Sequence, residues 1–248
     1  MKGARGIAIL ACAALIGCDT AAPKVAPTPQ ARPVVKPAPE PPKRTAESLD
    51  LEVYYARVGE SLETRGLLRP EGGGLDASWD AEMLSSAFLR TALFQEYTVI
   101  DDRLVLRESP IKLKRWTTPV RIEPRFDPLI SKETAASDLA FIKRYAARLS
   151  RVTGHPVDVV KNNGNFPVMI LHDAERRRSE DALRKAIPGL PPQPVAAIRE
   201  LPRATYCTLI VSDAANDGRI TNAVSVIRAE LPDALRRACI HEEIAQGL

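Results

Sequence analysis

The sequence predicts an α+β (mixed α/β) domain over residues 45–248, and three observations predict it. Apolar residues recur at every third or fourth position over 46–65, 80–94 and 133–152, the spacing of one helical face. β-branched and apolar residues alternate over 97–106, 112–124 and 219–228, the spacing of half-buried strands. Strong turn signals, Asn162-Asn163-Gly164-Asn165 and Asn216-Asp217-Gly218, separate such segments. A domain of this size buries about 70% of its unfolded surface, enough for a proper core.

The first helix (46–65) carries Leu51, Tyr54 or Tyr55, Val58 and Leu62 on one face, and Pro70 with Gly72-Gly73-Gly74 then breaks the chain into a loop. The second (80–94) aligns Leu84, Phe88, Leu89, Ala92 and Leu93 behind Asp80 as N-cap. It should end before Glu96-Tyr97, where the pattern turns to strand. In 112–124, Leu113, Val120 and Ile122 read as strand residues, with Pro119 at an edge or bulge. The clearest helix, 133–152, presents Leu139, Ile142, Tyr145 or Ala146, Leu149 and Val152, and Thr153-Gly154 closes it. Two short strands, 156–161 and 166–171, flank the Asn-rich turn. Residues 174–187 read as helix, with Arg176-Arg177-Arg178 on a solvated face because Glu175, Glu180 and Asp181 flank them. The Pro-rich stretch 188–203 is expected to cross the surface. Residues 205–212 and 219–228 pair about Asn216-Asp217-Gly218, and Pro232 opens a last helix, because the first helical turn needs no proline N–H.

Composition describes address before activity. The chain has 248 residues, 35 Lys+Arg against 31 Asp+Glu, a net charge of +4, 21 prolines and four cysteines. Lys2 and Arg5 precede the ten-residue apolar run 7–16, too short for a bilayer span and right for a signal-peptide core. The run ends Leu15-Ile16-Gly17-Cys18, which resembles the bacterial lipobox. That resemblance implies a signal peptide over 1–17, cleavage before Cys18, and lipidation of Cys18, palmitate among the acyl chains. Asp19 resembles an inner-membrane retention signal, so the expected location is the periplasmic side of the inner membrane. Residues 18–44 form a Pro-rich tether, with eight of the 21 prolines in 21–44. It favours polyproline II at roughly 3.1 Å per residue and a reach on the order of 70 Å. Its basic residues could touch anionic headgroups; a plain soluble spacer is the favoured reading. Signal and tether account for the positive charge: 45–248 carries 28 bases and 29 acids, or −1. A near-neutral domain, in a chain with 5% aromatic residues, argues against a nucleic-acid surface.

With Cys12 discarded and Cys18 lipidated, Cys207 and Cys239 remain in the domain. In an oxidising compartment their pairing would close a loop of about 33 residues, worth roughly 3–4 kcal/mol; the alternative is two buried thiols that never meet. The last helix ends CIHEEIAQGL. At about 100° per residue, Glu242 and Gln246 share the stripe of Leu235 and Cys239. Glu243 sits nearby, His241 points away, and Ile240 and Ile244 occupy the far side, as if the helix were covered on two sides. Charged and amide groups on a semi-buried stripe need a network, a metal or a ligand as partner. A satisfied core network, or simple exposure near the chain end, is the competing reading.

Phe88 with Glu96, the run Trp116-Thr117-Thr118-Pro119-Val120-Arg121-Ile122, Thr153-Gly154, Cys207 and Cys239-to-Leu248 together resemble the bacterial domain-of-unknown-function family twenty-nine twenty-seven, over most of 84–248. The resemblance implies export and no established activity. A second resemblance rests on the order of strand with a Trp-x-x-Pro start, long helix, strands, hairpin and His-Glu helix. It is similar to the catalytic domain of metzincin-like zinc peptidases. It implies a zincin-like fold, a small mixed sheet with two long helices, in which 45–95 is a helical N-terminal part and 112–248 the zincin-like part. Such enzymes need HExxH, two His one turn apart on zinc and Glu as base. Here that frame from His241 places Ala245 in the second ligand slot. Sliding by one gives Glu242-Glu243-x-x-Gln246, with Glu242 and Gln246 in the ligand slots and Glu243 in the base slot. Gln is a poor zinc ligand, and the third His of such sites has no counterpart, since the helix ends at Gly247-Leu248 where those domains continue. His155 and His172 follow a turn and end a strand and are expected to face solvent.

The expected function is a membrane-anchored cell-envelope lipoprotein whose domain is a non-catalytic binding or structural module, with a periplasmic or cell-wall partner, no nucleic acid and no cofactor. The alternative is a zincin-like hydrolase with Glu243 as general base and Glu242 and Gln246 on a metal or substrate.

Overall fold

The computed structural model describes residues 43–68, 79–101 and 103–248. The expected signal peptide, Cys18, the tether up to residue 42 and the Gly72-Gly73-Gly74 loop lie outside the described residues. Among the described residues no helix is long and apolar enough to cross a membrane.

In chain order the elements are α1 (Ala46–Thr64), α2 (Ala81–Leu93), β1 (Phe94–Ile100), β2 (Arg103–Pro110), β3 (Arg115–Trp116), β4 (Val120–Phe126), α3 (Lys132–Thr153), β5 (Val157–Val159) and β6 (Phe166–Leu171). They continue as α4 (Asp173–Arg177), α5 (Glu180–Ala186), α6 (Pro192–Arg199), β7 (Cys207–Ser212), β8 (Arg219–Ile220), β9 (Asn222–Arg228) and α7 (Asp233–Gln246). Helices beside a mixed sheet make this an α+β fold. The sheet order is β5-β4-β6-β9-β7, with β4, β5, β6 and β9 parallel and the edge strand β7 antiparallel to β9.

The helix ends follow from their residues. Asp80 accepts from the Met83 N–H at 2.7 Å, and Ser131 accepts from Thr134 N–H at 3.0 Å. Gly154 closes α3 in the left-handed conformation, φ +68°, which only glycine adopts at no steric cost. The β7–β9 pair turns where Asn216 and Gly218 take positive φ.

The two short strands expected about the Asn-rich turn are β5 and β6; each pairs with β4, one on either side, so the turn carries the chain past β4. Several other local expectations are corrected. Glu96 lies in β1, and the strand expected at 97–106 is a hairpin of β1 and β2 turning at Asp101, φ +47°. Leu113 stands outside any strand and is exposed. The aligned apolar residues of α2 are not a core face: no residue of the helix is buried, and Leu84 and Phe88 are 53% and 59% exposed. The stretch 188–203 contains α6, whose Val195 and Ile198 are buried.

The sheet separates two apolar layers. Under α3 and α7 lie Val120, Ile122, Phe166, Val168, Ile170 and their neighbours. On the other face, α5 and α6 cover Met169, Leu171, Val224 and Val226. All six residues of β6 are buried, as expected of a central parallel strand covered on both faces.

Arg176 is corrected most sharply: it is fully buried rather than solvated. Its guanidinium donates to the Asp173 carboxylate and to the Ile198 and Arg199 carbonyls at 2.5 and 2.6 Å. Arg228, also buried, donates to the Leu201, Pro202 and Thr205 carbonyls. The two arginines therefore pin the 198–205 segment over the sheet. The Asp173 carboxylate faces both arginines, 3.6 Å from Arg228 Nη1, and Glu230 fastens α1, accepting from Ser48 Oγ and the Asp173 backbone N–H, both at 2.7 Å. Burial raises the Tyr55 hydroxyl to about 12, and that hydroxyl donates to the Arg203 carbonyl at 2.8 Å.

These pairs set the acid limit of the fold. Burial opposes ionisation of Asp173, but hydrogen bonds from Arg177 and Arg176 outweigh it and hold its carboxyl below the ordinary value. Asp127 is lowered in the same way, burial being outweighed by hydrogen bonds from His172 and Leu129. A carboxyl lowered in the fold contributes stability that is complete above its unfolded pKa and is lost as pH falls through the folded one. The melting temperature should be flat from about pH 7 to 5 and fall below about pH 4, where free aspartate titrates. A melting temperature that rises on acidification below pH 4 would contradict this assignment.

Candidate functional site

The site the sequence singles out lies on α7. Pro232 precedes the helix with ψ 157°, and three contacts fix its course. Arg236 in its first turn donates to Asp138 of α3 through Nε at 2.7 Å and Nη2 at 3.3 Å, with both residues buried. Cys239 is disulfide-bonded to Cys207 of β7, the expected pair, with Cα atoms 5.9 Å apart. At the far end the Trp116 indole N–H donates to the Gly247 carbonyl at 2.6 Å, and Trp116 stacks on Phe166. A Cβ on Gly247 would stand 2.5 Å from Phe166 Cζ, so only glycine lets the helix end approach this closely.

The buried face of α7 is one broad arc rather than two opposite ones. Leu235, Arg236, Cys239, Ile240, Glu243 and Ile244 are all buried. Glu243 sits near the middle of that arc, 4% exposed, while Glu242 and Gln246 lie outside it and are exposed. His241 is half-buried on another side, its ring 4.7 Å from that of Phe141 and 4.3 Å from that of Tyr145 on α3. Burial, then the nearby Arg148, holds its pKa below the ordinary value, so it packs there as neutral imidazole.

Carboxylate oxygens of Glu242 and Glu243 and the Sγ of Cys207 come within 4.8 Å of one another. The donor set does not fit zinc. Cys207 Sγ is committed to the disulfide and carries no thiolate charge, so two carboxylates remain where zinc takes three or four N, S or O ligands. Ala245 fills the slot of a second ligand histidine, and the imidazole of His241 is held between the α3 rings.

One polar pair was missed in the sequence. His172 is 6% exposed rather than facing solvent. It follows β6 as Asp127 follows β4; its backbone N–H donates to Asp127 Oδ2 at 3.1 Å, and its Nδ1 lies 3.2 Å from the same oxygen. Asp127 Oδ1 also accepts from the Leu129 N–H at 2.8 Å. The pair ties together the carboxyl ends of two parallel strands whose adjacency no local pattern announces. His155 is half-buried, with Nε2 3.0 Å from the Thr118 carbonyl.

A family model described as "Protein of unknown function (DUF2927)" matches residues 81–248. No curated protein and no solved structure matches the chain.

Proposed function

The chain belongs to this DUF2927 family, and we propose that it is a lipid-anchored protein of the bacterial cell envelope whose domain is a non-catalytic binding or structural module. The anchor rests on the basic start, the short apolar run and the lipobox-like Leu15-Ile16-Gly17-Cys18. The observation that supports a module over a catalyst is the division of α7. Glu243 lies in the buried arc, Glu242 and Gln246 lie outside it, and His241 is held against α3. The two glutamates thus converge without a histidine, which is turned to α3, and the contacts of the helix's buried face with Asp138, Cys207 and Trp116 are those of a packed strut.

Several acyl chains on Cys18 would hold the protein firmly, each buried methylene adding roughly 0.8 kcal/mol. Cells fed a palmitate analogue should label the wild-type chain and leave Cys18→Ala unlabelled and soluble. Equal labelling of the two would overturn the anchor.

The convergence of Glu242 and Glu243 beside the edge strand β7 favours a second reading, a hydrolase with Glu243 as general base and Glu242 and Gln246 on the substrate. Glu243→Gln keeps the side-chain shape and removes the base, so hydrolysis of an envelope substrate abolished by that change alone would select it.

A further inference from the structure

The face of β4 turned away from α3 carries charge. Val120 and Ile122 are in the core under α3, so alternation turns Arg121, Glu123 and Arg125 toward the α5 side. α5 and α6 cover β6 and β9 there, and the step down to β4 forms a cleft of about 250 Å³. Glu123, Arg125, Asn162, Asn163, Lys185 and Asn222 line it.

The cleft is built around one buried acid. Glu123 is 7% exposed, and both its oxygens are engaged. Oε2 accepts from the Gly164 N–H and Oε1 from Arg125 Nε, each at 2.8 Å. The first bond draws the Asn-rich turn onto the strand. A Cβ on Gly164 would stand 2.5 Å from Glu123 Cβ and 2.6 Å from the Arg121 carbonyl, which holds that position to glycine and fixes Asn162 and Asn163 at the rim. The second bond orients the guanidinium by its Nε alone. Among the described residues Nη1 and Nη2 of Arg125 make no hydrogen bond, and Lys185 makes neither hydrogen bond nor ion pair.

We propose that this cleft binds the carboxylate of a small ligand, with Arg125 taking the two oxygens through Nη1 and Nη2. A guanidinium held by Nε presents a planar two-donor end that matches a carboxylate. Two cations against one carboxylate leave one positive charge among the lining residues, which a monoanion neutralises and a doubly charged phosphate exceeds. The three asparagines supply donors and acceptors for an amide or hydroxyl next to that carboxylate. The proposal is independent of the lipid anchor and of the role of α7.

The test uses the full-length chain in detergent and three probes: N-acetylalanine, N-acetylalaninamide and inorganic phosphate, titrated by NMR. N-acetylalanine should saturate, shifting Gly164 and Asn163 amides, while the amide and phosphate do not. Arg125→Gln should weaken N-acetylalanine about tenfold or more, the scale of one charge-assisted pair. Because Arg125 also holds Glu123, Lys185→Gln on the exposed face of α5 provides a second reading and should weaken binding about threefold. Equal binding of acid and amide, saturation by phosphate alone, or unchanged affinity in both variants would overturn the proposal.

Discussion

Asp138→Ala is expected to lower the unfolding free energy by about 3–5 kcal/mol, the cost of leaving one member of a buried ion pair alone. Asp138 is fully buried and Arg236 is 4% exposed. Burial works against the Arg236 charge, and the Asp138 carboxylate outweighs it, raising the arginine above its already high ordinary value. With Asp138 gone, the guanidinium keeps Asp233, which is 69% exposed, and the Leu231 carbonyl. Neither replaces a buried counter-charge. The pair is also the buried polar tie between α3 and α7, beside an exposed one from Arg237 to Ser137, so the loss should appear in global unfolding by urea. The double change Asp138→Leu with Arg236→Met should recover most of it, because an apolar pair of similar volume carries no desolvation cost. A loss below about 1 kcal/mol in Asp138→Ala would mean that the two helices do not depend on this contact.

Replacing Cys207 by Ser and Cys239 by Ala together should cost about 3–4 kcal/mol. The bridge joins positions 32 apart, and in the chain-entropy model its contribution comes from restricting the unfolded chain. It ties the edge strand β7 to α7. Edge strands have one neighbour and depend on such ties, so β7 amides should exchange faster in the variant while β6 amides keep most of their protection. Identical unfolding curves for the oxidised and reduced wild-type protein would contradict the assignment.

What could be read in the sequence is what local chemistry controls. α3 was legible because a 3.6-residue stripe runs up to a Gly stop. The β7–β9 pair was legible because its turn residues require positive φ. The disulfide was the favoured reading once Cys12 and Cys18 were assigned to the expected signal and lipobox. The rest depends on partners far along the chain. Arg176 reads as a surface residue among its neighbours, and its burial is balanced by Asp173 with the distant Ile198 and Arg199 carbonyls. His172 is buried because β4 brings Asp127 beside it, a parallel pairing of residues 45 positions apart. In α2 the error ran the other way: an apolar stripe marks a face that is covered by something, and in this chain nothing among the described residues buries it. At α7 the helical wheel placed the groups correctly around the axis, but two apolar arcs on the wheel were the two edges of one buried face with Glu243 between them.

The role proposed for α7 is that of a strut in a binding or structural module rather than a metal centre. The direct measurement is the metal content of the full-length protein after equilibration with zinc and exhaustive dialysis, beside Glu242→Ala treated identically. Well under one zinc per chain is expected in both. One zinc per chain in the wild type, lost in Glu242→Ala, would contradict it.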